Sequence, residues 1–461
     1  MQGSKKNPVR ESFGSQIGVI AAAAGSAVGL GNIWRFPYVA GENGGGAFLL
    51  TYLAFVLLIG VPAMLSEFVV GRSSQKNPVG AFRLLAPGTA WPAVGFIGVA
   101  AAFTILAFYT TVAGWTLEYL YLTIFDKLDH LQKRDLENTF TTFVANGWRP
   151  VMWQIVFMLL TGLIVFSGVK NGIERSTKIL MPLLLIIIIA LGIRSLSLPG
   201  AAEGLKFLFR PDFSKINADV MLQALGQAFF SLSIGMGTLI TYGSYIRKRE
   251  NLGMTALSVS LADTAIAILA GIAIFPAVFA FNIAPEAGPS LVFITLPMIF
   301  DQMAGGVFFE LVFFILLAIA ALTSTISVLE VAVAYFGEEL ALGRKKATII
   351  STIAITVLGI FTTLSMGPLP ELSIAGLSLF DLLDKTSANV LLPLGGLCIV
   401  IFVGWKLKPA TVYSELSNEG SLKAKYIPLF LFIVKFLAPI AIALVFLNGL
   451  GLFGFFGGGD L

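Results

Sequence analysis

Gly25-Ser26-Ala27-Val28-Gly29-Leu30-Gly31-Asn32-Ile33-Trp34-Arg35-Phe36-Pro37 lies inside an apolar run, yet it carries Gly-x-Gly, two small polar residues and an arginine. Glycine in a helix interior costs about 1 kcal/mol relative to alanine. Clustered glycines beside Ser26 and Asn32 therefore weaken the helix at that point. A second cluster has the same build: Phe229-Phe230-Ser231-Leu232-Ser233-Ile234-Gly235-Met236-Gly237-Thr238. Small residues also line close helix contacts in membranes, so one such cluster alone decides little. Two of them at corresponding places favour paired interrupted helices instead. An unwound segment offers free carbonyl oxygens to a cation and free N–H groups to an anion, and the half-helix dipoles reinforce both. Neither cluster has the third glycine or the preceding strand of a nucleotide loop, and the chain has no Gly-x-x-x-x-Gly-Lys-[Ser/Thr].

Working outward, the 461 residues are 57% hydrophobic and 12% charged, with mean hydropathy +0.89. A soluble chain carries about 25% charged residues. The apolar residues come in long blocks, for example 51–64, 152–166, 179–193, 266–281, 307–322 and 427–447. Several approach the ~20 residues that cross a hydrocarbon core, where helices satisfy their own backbone groups. The reading is an all-α polytopic membrane protein with eleven spans, near 13–38, 44–71, 90–125, 150–167, 175–195, 218–246, 255–282, 307–337, 347–364, 378–404 and 426–456. Segment 285–305 is apolar but contains Pro285, Pro289 and Pro297, and reads as a loop dipping back toward the bundle.

Basic residues test that count. Of the 30 Lys and Arg, 19 fall on alternate loops beginning with Lys5, Lys6 and Arg10, nine on the opposite loops, and Arg35 and Lys435 within spans. This asymmetry predicts a cytoplasmic N-terminus and, with eleven spans, an extracellular C-terminus. The formal charge of +4 then reflects orientation rather than nucleic-acid binding. The lone Cys398 excludes an internal disulfide and a Cys-rich metal site, and the lone His130 reads as a solvated loop residue. The start resembles a signal peptide, but cleavage is not expected, because Asn32 to Arg35 continue the same segment with polar groups that need a protein environment.

The Gly25-to-Pro37 stretch, followed by Glu42-Asn43-Gly44-Gly45-Gly46-Ala47-Phe48, strongly resembles the neurotransmitter:sodium symporter family, with weaker matches over spans two to ten. The resemblance implies a LeuT-like fold of two inverted five-helix repeats with broken helices one and six. In this chain it gives one transmembrane domain over 1–461, with repeat one near 13–195, repeat two near 218–404 and an extra helix near 426–456. Eleven spans are one fewer than is common in the family. The helix that is missing lies outside both repeats. The implied function is sodium-coupled import of neutral, mostly hydrophobic L-amino acids such as leucine or tryptophan, through the bacterial inner (plasma) membrane.

Carried over by motif, one sodium ion uses Ala27, Asn32, Ser231 and a residue of span seven, read as Asp263. The second uses carbonyls of Gly25, Val28 and Ala320 and hydroxyls of Thr323 and Ser324. Hard oxygen ligands suit a hard cation. The family usually places Asn where Asp263 stands, and its chloride-dependent members use bound chloride for a nearby negative charge. An aspartate inside a membrane needs a cation, so Asp263 is expected to ligate sodium and replace chloride; a protonated structural aspartate is the alternative.

The resemblance also implies the substrate site. Monoamine transporters of the family carry an aspartate at the Gly29 position, so glycine implies a substrate with its own carboxylate. The amides of Leu30 and Gly31 and the Tyr109 hydroxyl are expected to hold that carboxylate. Ala27, Ile105, Phe230, Ser231, Ser233, Met236, Ser324 and Val328 complete the pocket, which has no ionisable group to pair with a charged side chain. Met236 adapts such a pocket to different sizes. Arg35 and Asp384, with Phe230 as lid, resemble an outer gate; Arg10, Tyr245 and Glu338, with Phe13, resemble an inner gate. Gly172 and Pro182 are read as easing the unwinding of the start of span five. Glu67, Glu118, Glu310 and Glu330 receive no role. A channel with an amino-acid-regulated gate leaves the two gates unexplained. A sensor or enzyme finds no Ser-His-Asp, His-Glu-x-x-His or paired catalytic carboxylates in the chain.

Overall fold

A computed structural model describes residues 11–128, 131–281, 290–374 and 376–452. Among these, nine helices are long and apolar enough to cross a membrane: Gly46–Ser74, Pro92–Ile124, Trp148–Phe166, Val169–Leu196, Leu252–Ala280, Gly306–Glu339, Arg344–Leu364, Leu379–Lys406 and Ile427–Gly449. Span one is a bent pair, Gln16–Ala27 and Gly31–Glu42, with 55° between the halves. Span six is also in two pieces, Ala218–Ser231 and Thr238–Gly243, each too short to cross alone. Counted as one, they supply the eleventh span of the sequence reading. The nine helices are therefore spans two to five and seven to eleven, in chain order.

Both breaks have local causes. Val28 leaves the helical region with φ −73° and ψ 104°. In span six the chain passes through positive φ at Ser233, Gly235 and Gly237 (56°, 89° and 75°), the left-handed region that glycine enters at no steric cost. Gly235 is further required by space, since a Cβ there would lie 2.2 Å from the carbonyl oxygen of Leu392.

Proline explains a second set of irregularities. The N–H groups of Phe36, Val61, Leu296, Leu392 and Ala438 each bond five residues back, to Gly31, Val56, Leu291, Ser387 and Ile433. The next residue in every case is a proline: Pro37, Pro62, Pro297, Pro393 and Pro439. Proline has no N–H to donate and its ring collides with the carbonyl four residues earlier. One wide turn with i→i−5 bonding relieves that collision while the helix continues.

This corrects the reading of 285–305 as a loop. Residues 282–289 lie outside the described ones, but Leu291–Asp301 is an apolar helix. It buries Leu291, Val292, Phe293, Ile294, Leu296, Ile299 and Phe300. Pro297 follows a wide turn and so does not break it. A two-residue antiparallel strand pair, Ser373–Ile374 with Leu377–Ser378, lies just before span ten and was not anticipated.

Span eight is the most enclosed, with 72% of its apolar window buried, whereas spans five and eleven each have 28% buried. Span eight thus lines the centre of the bundle, and the other two present most of their surface to lipid. At the end of the bundle rich in Lys and Arg, buried Arg72 of span two binds Glu415 Oε2 at 2.7 Å and the Glu250 carbonyl at 2.6 Å. Lys248 pairs with the same carboxylate. This end is called the basic end below.

Candidate functional site

The two breaks face each other across one cavity. Its walls are Ser26, Ala27, Gly29, Gly31, Ile105, Leu106, Tyr109, Phe230, Ser231, Ser233, Met236, Ser324 and Val328. Eleven of the twelve residues expected to bind substrate are in that wall. The twelfth, Leu30, takes part through its backbone, donating its N–H to the Tyr109 hydroxyl at 3.1 Å. Ser26 and Leu106 are additions. Tyr109 and Ile105 project from one face of span three, and Ser324 and Val328 from one face of span eight, each pair four residues apart as a helical face requires. Space is reserved by glycine: a Cβ on Gly29 would lie 2.5 Å from Ser324 Oγ and 2.9 Å from the Tyr109 hydroxyl. One on Gly31 would lie 2.8 Å from the Phe230 ring. A second, apolar cavity lies between spans five, seven and eight and the Leu291–Asp301 helix. Its polar groups are Arg194 and Ser195, and it lacks the oxygen cluster described next.

Next to the first cavity, Asn32, Ser231 and Asp263 form one buried cluster. Asn32 Nδ2 donates to Asp263 Oδ1 at 2.7 Å, and Ser231 Oγ donates to Asp263 Oδ2 at 2.7 Å. Asn32 Oδ1 accepts from the Gly29 N–H at 3.1 Å, which ties the cluster to the break in span one. Spans one, six and seven thus meet at a full carboxylate with at most 2% of any of the three residues exposed. Tyr52 of span two, missed in the sequence reading, adds its hydroxyl 3.3 Å from Asp263 Oδ2. A tyrosine in an otherwise apolar stretch was the available signal. Oxygen-rich and built around one carboxyl group, the cluster has the chemistry of a sodium ligand set.

The second expected set also converges. Ser324 Oγ lies 3.5 Å from the carbonyl of Gly25, 3.4 Å from that of Ser26 and 3.3 Å from that of Val28. Thr323 Oγ1 lies 3.0 Å from the Ala320 carbonyl. One hydroxyl hydrogen serves only one of three carbonyls, so lone pairs remain for a cation. Gly25 permits the approach, its added Cβ falling 3.3 Å from Thr323 Cβ.

The residues expected to form the gates are partly assembled. Arg35 stacks its guanidinium 4.3 Å above the Phe230 ring. Among the described residues no ion pair within 4.0 Å joins it to Asp384. At the basic end, Phe13 is buried edge-on against Tyr242 and Tyr245, with ring centroids 5.5 and 6.1 Å apart. Arg10 lies outside the described residues. Glu338 accepts from the Asn77 N–H and side chain at 3.0 and 3.1 Å. Tyr245 donates to Glu330 at 2.6 Å, and Arg344 grips the same carboxylate at 2.9 and 2.7 Å. Glu330 therefore joins the residues around Tyr245, where the sequence alone gave it no part.

Span five begins in a wide turn, Val169–Glu174, and continues as helix through Pro182. Its start is wound here. Gly172 is there for space, because a Cβ would lie 2.0 Å from the Ile164 carbonyl. Glu174 fastens this turn to the chain before span one by accepting from the Gly14 N–H at 2.6 Å, and Lys178 of its own helix donates to the same carboxylate at 2.6 Å.

Two further acids acquire partners. Glu67 of span two, fully buried, accepts the Gly235 N–H at 2.7 Å and so supports the break in span six. Glu118 of span three binds Arg149 at 2.7 Å and Trp153 Nε1 at 2.5 Å, joining spans three and four.

Comparison with known proteins agrees with this geometry. The profile of the Sodium:neurotransmitter symporter family matches residues 10–142 and 143–453. A sodium-dependent transporter of Bacillus subtilis, YhdH, is 41% identical over 98% of this chain and 100% of its own length. A sodium-dependent transporter of Haemophilus influenzae is 39% identical, over 96% of this chain and 99% of its own. The crystal structure of MhsT in complex with L-phenylalanine superposes with TM-score 0.87 and 51% identity, covering 95% of this chain and all of that one. The fold is therefore LeuT-like, with eleven spans and broken helices one and six, and the chain belongs to the sodium:neurotransmitter symporter family of multi-pass, sodium-dependent membrane transporters.

Proposed function

We propose that this chain is a sodium-coupled symporter that imports neutral, mostly hydrophobic L-amino acids by alternating access, without a requirement for chloride. The observation that carries this reading is the Asp263 carboxylate held between Asn32 and Ser231 beside the cavity. It supplies within the chain the negative charge that a bound anion would otherwise bring.

A zwitterion suits the rest of the site. The substrate carboxylate meets the N–H ends of the broken span one at Leu30 and Gly31. The Tyr109 hydroxyl already accepts from Leu30, and its own hydrogen remains to be donated. The ammonium meets carbonyls of the two breaks. Ile105, Met236 and Val328 offer the side chain an apolar wall. The L-phenylalanine in MhsT supports a substrate of that class. One sodium ion is assigned to Ala27, Asn32, Ser231 and Asp263, and a second to Gly25, Val28, Ala320, Thr323 and Ser324.

Access alternates between an outer gate of Arg35, Asp384 and Phe230 and an inner gate of Arg10, Phe13, Tyr245 and Glu338, to which Glu330 and Arg344 are added. Unwinding at the start of span five, helped by Pro182, opens the inner path. The distribution of Lys and Arg supports an orientation with the basic end in the cytoplasm of a bacterial cell, the N-terminus inside and the C-terminus outside.

Uptake of radiolabelled leucine and tryptophan into proteoliposomes tests the proposal, with sodium or choline outside and chloride exchanged for gluconate. Uptake that needs sodium and ignores chloride is expected. Uptake indifferent to sodium would overturn the coupling, and dependence on chloride would overturn the role given to Asp263.

A further inference from the structure

Lys435 stands within span eleven, eight residues past its start at Ile427, about 12 Å along the helix at 1.5 Å per residue. It is half-buried on one of the two spans that face lipid most openly. Among the described residues no carboxylate lies within 4.0 Å of its ammonium, and its side chain makes no hydrogen bond to the protein. A charge in this position needs a counter-charge from somewhere.

Spans ten and eleven pack closely at this point. A Cβ on Gly404 would lie 3.2 Å from both Cα and Cγ of Lys435, so glycine there leaves room for the lysine stem. Pro439 cannot bond the carbonyl of Lys435 four residues earlier. The Trp405 indole N–H takes that carbonyl instead, at 3.0 Å. Trp405 is 62% exposed and packs edge-on against Phe436 with ring centroids 5.6 Å apart. Phe432 and Phe436 extend an exposed apolar strip along the same helix.

Lys406 and Lys408 follow Trp405 at the end of span ten, Lys423 and Lys425 precede span eleven, and all four are exposed. The connecting loop has two acids. Glu415 is taken by Arg72 and Lys248, and Glu419 sits exposed at the turn. A lysine within the span, a tryptophan at the end of the neighbouring span and further lysines beyond both make a site for a singly or doubly charged oxyanion that enters from the membrane. Long cationic side chains reach toward such an interface along their apolar stems, and basic grooves between helices at this level bind lipid headgroups.

We propose that the surface of this seam binds the phosphate of an anionic glycerophospholipid, with Lys435 contacting it from the hydrocarbon side, Lys406 from the water side and an acyl chain lying on Phe432 and Phe436. The assignment uses the membrane-spanning fold and no property of the amino-acid site. It rests on the proposed orientation only in naming the cytoplasmic leaflet.

The test is native mass spectrometry of the full-length purified protein after exchange into mixed phosphatidylglycerol and phosphatidylcholine, comparing wild type with Lys435→Gln, Lys435→Arg and Trp405→Phe. Wild type should retain phosphatidylglycerol in preference to phosphatidylcholine. Lys435→Gln should weaken that retention about fivefold, the contribution of one basic residue near a charged membrane, and Lys435→Arg should keep it. Trp405→Phe, which keeps the ring but removes the indole donor, should fall between. Added inorganic phosphate should not displace the lipid; displacement would assign the site to a free anion and overturn the lipid. Equal retention by wild type and Lys435→Gln would also overturn the proposal, leaving the exposed lysines as a diffuse attraction. Because the readout is bound lipid, it is independent of whether uptake requires sodium.

Discussion

Asn32 on span one and Asp263 on span seven are joined by a 2.7 Å hydrogen bond at a position with no solvent exposure. The second Asp263 oxygen is held at the same distance by Ser231 of span six. Three spans, two of them broken, are thus referred to one carboxylate. Sodium bound there would draw all three together, which is how an ion can order a cavity it does not itself fill.

Asp263→Asn tests this directly. Loss of one charge-assisted interaction is worth about 1.5–3 kcal/mol, so half-saturation of uptake by sodium should rise about tenfold or more. A sodium titration of uptake at fixed leucine measures it. Tyr52→Phe removes a longer contact of 3.3 Å and should cost less. Unchanged sodium dependence in Asp263→Asn would remove the carboxylate from the ion site.

Glu67 makes a different kind of prediction. Its carboxylate answers the Gly235 N–H at the break in span six. Glu67→Gln keeps an acceptor and should change the melting temperature little. Glu67→Ala leaves a buried N–H without a partner, costing about 1–3 kcal/mol, and should lower it clearly. Thermal unfolding in one detergent compares the two.

Much of this was legible in the sequence, because helix breaks and proline positions are local properties. Gly29, Gly31, Gly235 and Gly237 marked the two interruptions. The resemblance carried by the Gly25-to-Pro37 stretch then named nearly the whole cavity wall. The helix Leu291–Asp301 was missed because three prolines were read as breakers, although Pro297 is accommodated by the wide turn ahead of it. Tyr52, Glu67 and Glu330 were not placed for another reason. Their partners lie 179 or 211, 168, and 85 or 14 residues away in the chain, and no local pattern reports such pairings.

Arg344 and Glu330 offer a third test. The Glu330 side chain is fully buried and that of Arg344 is 21% exposed. Removing one partner of a buried pair costs about 3–5 kcal/mol, because the remaining charge loses its compensation. Arg344→Ala should therefore unfold at a lower temperature than the double variant Arg344→Ala, Glu330→Ala. A double-mutant cycle on melting temperature decides it, and additive effects would mean the pair is not coupled.

Span five needs a variant chosen for space. Gly172→Ala forces a Cβ to 2.0 Å from the Ile164 carbonyl, so it would disturb packing whatever its effect on unwinding. Pro182→Ala restores one helix hydrogen bond without such a clash. It should slow amide exchange in the turns before residue 182 and lower the uptake rate, while the melting temperature holds or rises. Exchange and uptake both equal to wild type would detach Pro182 from the opening of the inner path.

The glycine at 29 has a consequence for anyone wishing to redirect the carrier. An aspartate placed there to greet an amine without a carboxylate would be built into atoms already present, Ser324 Oγ at 2.5 Å and the Tyr109 hydroxyl at 2.9 Å. A switch of substrate class in this scaffold therefore involves more than position 29: the Ser324 or Tyr109 hydroxyl has to shift to make room, and Ser324 is also assigned to the proposed second sodium site. On the proposed assignment, selectivity and ion coupling share one side chain.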